Sequence, residues 1–158
     1  MEKEQIIDFT RRISQSNATG LVVVTYDIMF ANLEDAKAAY AKEDWDIFKQ
    51  SIRQAQRAIG ELTDSLNFSY AMAKELYQIY VYCKDKLAEA MYKRSLEAVE
   101  EAEALMEKLY KSFEKVAEDD TTAPIMKNTQ QVYAGYTYGR NDVVENCQEI
   151  GKSRGFLV

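Results

Sequence analysis

Apolar residues in the middle of the chain recur at alternating steps of three and four, which is the spacing of one face of an α-helix. Such an alternation averages about 3.5 residues, the period that keeps an apolar seam facing its neighbours in a bundle. The pattern predicts an all-α fold, an antiparallel four-helix bundle with short connections. The four stripes are Val22, Tyr26, Met29, Leu33, Ala36 and Tyr40; Phe48, Ile52, Ala55, Ile59, Leu62 and Leu66; Ala73, Leu76, Tyr80, Cys83, Leu87 and Ala90; and Val99, Ala102, Met106, Leu109, Phe113 and Val116.

The predicted core of the bundle is drawn from these stripes. Its residues are Tyr26, Leu33, Ile52, Ala55, Ile59, Leu62, Leu76, Tyr80, Leu87 and Phe113. Asp44 and Ser95 precede the second and fourth stripes, and each can cap a helix because its side chain accepts a hydrogen bond from a free amide of the first turn. Residues 21–26 are rich in β-branched side chains, which favour strands. We still predict helix there, because the stripe continues at helical spacing and no second strand candidate can pair with it.

The first bundle helix carries more apolar surface than one seam requires. The additional residues are Leu21, Val24, Ile28 and Ala31 in a second stripe, and Val23 and Phe30 in a third. Ahead of this helix, Ile6, Phe9 and Ile13 predict a short amphipathic helix that ends before Asn17 or Gly20. Two interpretations remain open: this N-terminal cap covers the surplus surface permanently, or the surface is a groove for a partner helix.

The chain changes character after residue 118. A polar stretch that ends at Pro124 predicts a helix end and a linker. Three tyrosines between glycines at 133–139 and an amphipathic stretch at 141–150 are unlike a merely solubilising tail, so we predict that the tail packs on the bundle, either over a client groove or on an unrelated face. The predicted organisation is an N-terminal cap segment at 1–17, a four-helix-bundle domain at 18–118, and a linker with a tyrosine- and glycine-containing tail extension at 119–158.

The amino-acid composition argues against most classes of enzyme. The chain has no histidine, the commonest general base and a common transition-metal ligand. Cys83 and Cys147 are too far apart to form a CxxC pair or a zinc site. The acidic run at 100–103 is predicted to be a solvated helix face, and the sequence has no glycine-rich nucleotide-binding motif. We therefore predict that the protein is not an enzyme and has no catalytic residues, cofactor or metal.

The net charge and the hydropathy pattern limit the classes of binding partner and the cellular locations that we expect for the protein. The formal net charge of −6 opposes binding to nucleic acid, which depends on clustered cations. The longest apolar run, Leu21 to Val24, is far shorter than the roughly 18 residues of a membrane span, and the N-terminus does not resemble a signal peptide. These features predict a cytoplasmic protein with reduced thiols, no nucleic-acid partner and no membrane insertion.

Several short blocks, in order and at fitting spacings, resemble motifs of the FliS family of flagellar export chaperones. They are Thr25-Tyr26-Asp27 after the apolar run 21–24, Ala55-Gln56-x-x-Ile59-x-Glu61-Leu62, Leu76-x-x-Ile79-Tyr80-Val81-Tyr82, Leu87-x-x-Ala90, and Phe113 where many members have tryptophan. The resemblance covers roughly residues 5–118. Ala18 and Met91 depart from the family pattern, which has proline and asparagine at these two positions.

The resemblance implies a chaperone that holds the C-terminal segment of flagellin in the cytoplasm, prevents premature polymerisation and assists flagellar secretion, with components of the export apparatus as further partners. It also implies that the N-terminal segment is a movable cover. The candidate flagellin contacts are Val23, Ile28, Phe30, Tyr77 and Tyr82. The alternative is a structural or regulatory bundle that self-associates as a homodimer and has no flagellin client.

Overall fold

The computed structural model describes residues 3–126, and these residues contain five helices and no strand. The helices are α1 (Lys3–Gln15), α2 (Ala18–Ala41), α3 (Trp45–Asp64), α4 (Ala71–Lys93) and α5 (Leu96–Asp119). The prediction of an all-α fold is confirmed, and residues 21–26 lie inside α2 despite their β-branched side chains. The predictions for the tail concern residues that lie outside the described part of the chain.

Polar residues mark the start of three helices. The Asn17 side chain accepts from the Gly20 amide at 2.8 Å, Asp44 from Ile47 at 3.1 Å, and Ser95 from Ala98 at 3.3 Å. Each oxygen satisfies one of the amides that a first helical turn leaves free. The predicted caps Asp44 and Ser95 are confirmed.

Helices α2 to α5 form a ring in which each helix packs against its neighbours in sequence, and α2 closes the ring against α5. The pairing of α2 with α5 is antiparallel: Thr19 near the start of α2 bonds Asp120 just after α5, whereas Lys37 near the end of α2 pairs with Glu103 in the first half of α5. Short connections join the other neighbours, as an up-and-down bundle requires.

The ten predicted core residues fall into two groups by their degree of burial. Eight are at most 2% exposed: Tyr26, Leu33, Ile52, Ala55, Ile59, Leu62, Tyr80 and Leu87. Leu76 and Phe113 are only partly buried against this core. Both line a cavity at the end of the bundle where the connection from α3 to α4 passes, so the neighbours that would enclose them are missing on that side.

One polar contact crosses the bundle centre. The hydroxyl groups of Tyr26 on α2 and Tyr80 on α4 lie 2.8 Å apart in the buried core. Burial raises the pKa of both hydroxyls, so they remain protonated donors. The Cys83 thiol lies nearby, and burial raises its pKa to about 11, which keeps it an unreactive thiol.

Candidate functional site

A long groove lies between α2 and α3, and we call it the client groove. Its apolar half encloses about 550 Å³ and is lined by Leu21, Val22, Thr25 and Ile28 from α2 and by Ala58, among others, from α3. Gln54, Arg57 and Glu61 of α3 line the same half, so an apolar strip on α2 lies beside polar groups on α3, an arrangement that suits an amphipathic helix.

The other half of the client groove is more polar and encloses about 590 Å³. Asp35, Lys42 and Gln50 line it, and Asn32 lines both halves, so the groove is continuous along α2. Asn32 is 4% exposed, and its amide donates to the Ile28 carbonyl at 2.7 Å. A buried amide at this position divides the apolar half from the polar half.

The N-terminal helix α1 lies beside this groove. Ile13 lines the apolar half and Ile6 the polar half. Among the described helices, α1 packs on α2 alone. Val24 of α2 is 3% exposed although it lies outside the main core cluster, which is consistent with cover by α1.

The N-terminal half of α1 is loosely attached, whereas Ser14 near its C-terminal end is 1% exposed. Its main polar anchor is the ion pair between Arg12 and Asp27 of α2. Phe9 is half-buried, with the Arg12 guanidinium 5.8 Å from its ring centroid. Ile6 and Ile7 are 41% and 51% exposed. A helix of this length is marginal by itself in water, so few contacts need to break for it to leave the groove.

The five candidate flagellin contacts are not brought together in one place. Of these five, only Ile28 lines the client groove. Phe30 turns toward α5 instead, with its ring centroid 5.5 Å from that of Tyr110 and 6.4 Å from that of Tyr26. Val23, seven residues before Phe30 and therefore on the same side of the helix, is half-buried.

The remaining two candidates lie on α4. Tyr82 is 41% exposed, and its hydroxyl donates to Glu101 of α5 at 2.5 Å. This bond is the first cause that lowers the pKa of the Glu101 carboxyl, and Lys86 adds to it. Tyr77 is 43% exposed and lies near the start of the helix.

Tyr77 belongs to a second exposed apolar surface, which we call the loop patch. It consists of Phe68, Tyr70, Met72 and Tyr77, with Phe68 and Tyr77 in ring contact at 5.8 Å. Phe68 and Tyr70 were missed by the sequence analysis. The available signal was the presence of two large aromatic residues in a short connection that also contains Ser65, Asn67 and Ser69, where turn residues are usual.

One residue of the acidic run on α5 departs from the predicted solvated face, whereas Glu100 and Glu101 are exposed as predicted. Glu103 is not on a solvated face: its side chain is 15% exposed and pairs with Lys37 of α2 at 3.0 Å. Glu101 pairs with Lys86 of α4 at 2.9 Å. These carboxylates therefore join α5 to both of its neighbours, and helical phase alone could not have revealed partners on other helices. Within residues 3–126, no group of three or more acidic or cysteine side chains could hold a metal ion.

The amino-acid sequence matches the model of one known protein family. The sequence model of the family described as "Flagellar protein FliS" matches residues 4–120, which covers α1 through α5. A comparison with curated proteins finds no match. Of the helices in the described range, none is long and apolar enough to cross a membrane.

Proposed function

The chain belongs to the FliS family of flagellar proteins, and on this premise we propose that it binds the C-terminal segment of flagellin in the cytoplasm through the client groove. The role of that family is flagellar export chaperoning, with flagellin as its client, and it is not a family of enzymes. The finer proposal is that the bound segment cannot polymerise prematurely and is delivered to the export apparatus.

The client groove is the observation that carries this proposal. It is an apolar surface between α2 and α3, and the only described helix packed beside it is the lightly attached α1. An amphipathic client helix would bury its apolar face there, displacing α1 as it does so. A disordered flagellin terminus loses chain entropy when it orders, so it needs an extended apolar surface to offset that loss.

The loop patch extends the surface that a long client can reach. Val22, Leu62 and Ser65 line both the apolar half of the client groove and the cavity at the end of the bundle. That end cavity is also lined by Tyr70 and Met72 of the loop patch. The client groove and the loop patch therefore adjoin each other, and we propose that a single client segment reaches both.

A chaperone of this kind acts by occupancy. While the flagellin terminus lies on the bundle, its apolar face is unavailable for the helical contacts that join subunits in a filament. No reacting group is needed, which agrees with buried, protonated Tyr26, Tyr80 and Cys83 side chains in the core.

Calorimetric titration of the full chain with a peptide of the cognate flagellin C-terminus tests the proposal. Leu21→Glu places a charge in the apolar half of the groove, at a residue outside the buried core. Tyr92→Glu is the control, since Tyr92 is 89% exposed on α4. We expect wild type and the control to bind one peptide per chain and the Leu21 variant to lose binding. Equal affinities for all three proteins would overturn the proposed site.

The self-associating bundle is the second candidate, and the exposed loop patch favours it. Phe68, Tyr70 and Met72 are 54%, 68% and 68% exposed, which is unusual for clustered large apolar side chains. Sedimentation equilibrium of wild type and of the double variant Phe68→Ser/Tyr70→Ser decides this point. A dimer that the double variant converts to monomer, together with no peptide binding by wild type, would replace the chaperone proposal with this one.

A further inference from the structure

After α5 the described chain turns back toward the junction of α1 and α2. The Thr19 hydroxyl donates to the Asp120 carboxylate at 2.5 Å. The Asn17 amide donates to the backbone carbonyls of Asp120 at 3.1 Å and Thr122 at 3.3 Å. We call residues 120–125 the strap.

The end of the strap reaches the hinge and the groove together. The Ile125 amide donates to the Ser16 carbonyl at 3.1 Å, and the Ile125 side chain lines the apolar half of the client groove with Ile13 and Leu21. Ser16 and Asn17 are the only two residues between the end of α1 and the start of α2. The strap therefore bonds both residues about which α1 would have to swing.

Asn17 connects the strap to the first turn of α2. Its side-chain oxygen caps the helix through the Gly20 amide, while its side-chain nitrogen donates to the strap. A Cβ atom at position 20 would lie 2.9 Å from that oxygen, so glycine leaves the room the cap needs. One side chain thus fixes the direction in which α2 begins and the position of the strap.

We infer that the strap is an autoinhibitory latch: it pins the hinge between α1 and α2, and flagellin must release it to displace α1 and fill the groove. This inference rests on the proposed function for the identity of the client, whereas the pinning of α1 does not. A client that binds only the unlatched form has an apparent affinity reduced by the fraction of chains that are latched. Weakening the strap therefore raises both the opening of α1 and the affinity for the client.

Hydrogen exchange of the α1 amides, measured on the full chain without client, tests the pinning. Asn17→Asp keeps the cap, because aspartate is an equally good N-cap residue, but it removes both donors to the strap. Asp120→Ala removes the carboxylate that accepts from the Thr19 hydroxyl and from the Thr122 amide, and Asp119→Ala is the matched control because Asp119 is exposed. We expect exchange of α1 to rise at least about fivefold in the first two variants, because each removes two hydrogen bonds and one net hydrogen bond alone is worth about that factor, and to stay at the wild-type rate in the control.

The same three variants are then titrated with the flagellin C-terminal peptide. The dissociation constant is expected to fall at least about fivefold in Asn17→Asp and Asp120→Ala, each of which removes two hydrogen bonds, and to be unchanged in Asp119→Ala. Unchanged exchange of α1 overturns the latch, and so does raised exchange with unchanged affinity. If wild type does not bind the peptide, the proposed function fails, and the exchange rates alone then uphold or overturn the pinning of α1.

Discussion

The two sides of α2 differ in how they are filled. On the side of α5, the rings of Tyr26, Phe30, Tyr110 and Phe113 contact one another, with centroid distances from 5.5 to 6.4 Å. Burial raises the pKa of Tyr110 to about 12, and the nearby Asp27 carboxylate adds to this effect. On the side of α3, the apolar half of the client groove encloses about 550 Å³.

The difference shows how one helix can be apolar nearly all round without being wholly buried. Large rings complete the packing toward α5, so that side contributes to stability in the free protein. The small and branched residues on the other side leave space, and within residues 3–126 only the marginal helix α1 and Ile125 of the strap lie beside it. Beneath the groove α2 packs on α3 even more extensively than on α5, so the surface that we propose for the client is the outward-facing part of the α3 side and not the whole of that side.

The largest expected effect is on the core that both sides share. Ile59 of α3 is fully buried, so Ile59→Ala removes buried methyl groups and leaves a cavity, at a cost of about 2–5 kcal/mol in the free energy of unfolding. Chemical denaturation measures it. A midpoint equal to that of wild type would mean that the α3 face has been assigned wrongly.

The filled side should be more sensitive than the groove side. Phe30→Ala is expected to lower the free energy of unfolding by about 2 kcal/mol, because it removes a ring that contacts two others. Leu21→Ala, on the groove side, is expected to cost less than about 1 kcal/mol, since its neighbours already leave space. Thermal melts of the two variants compare the sides directly, and a reversed order would contradict the division.

The buried hydroxyl pair should show strong coupling. Tyr26→Phe leaves the Tyr80 hydroxyl without its partner at 2.8 Å, which costs about 1–3 kcal/mol. The double variant Tyr26→Phe/Tyr80→Phe removes both hydroxyls and should recover most of that loss. A double-mutant cycle in denaturant gives the coupling, and strictly additive losses would show that the pair is not a mutual hydrogen bond.

The smallest effect concerns Gly60, on the outer surface of α3. A Cβ atom there would meet nothing within 4 Å, so Gly60→Ala should raise the free energy of unfolding by about 0.5–1 kcal/mol through helix propensity alone. Flagellin affinity should not change, because Gly60 does not line the client groove. A loss of stability on denaturation would mean that the space is occupied.

Local signals account for what could be read from the sequence. The stripes fixed the helices because a seam must repeat with the helical period, and Asp44 and Ser95 marked helix starts because capping depends on residues three positions apart. Contacts between residues that are far apart in the sequence could not be predicted from these local signals. Phe30, a candidate flagellin contact, packs on Tyr110, a neighbour that periodicity does not name because it defines only the faces of a helix, and its contact with flagellin stays a prediction.

The strap shows the same limit more strongly. The stretch that ends at Pro124 was predicted to be a linker from its polarity and lack of periodicity. Its bonds to Asn17 and Thr19 join residues about a hundred positions apart, and no local pattern encodes such a pairing. Phe68 and Tyr70 lie between the second and third stripes, where no helical period indicates which surface an aromatic side chain joins.

The proposal for flagellin is that it binds the α3 side of α2 and leaves the α5 side intact. Its most direct test is NMR of the isotope-labelled full chain, titrated with the cognate flagellin C-terminal peptide. We expect large chemical-shift changes at Leu21, Thr25 and Ile28 and small changes at Phe30 and Tyr110. The resonances of α1 should change to those of a segment released from the bundle. Large changes at Phe30 and Tyr110, with the groove residues and α1 unaffected, would contradict it.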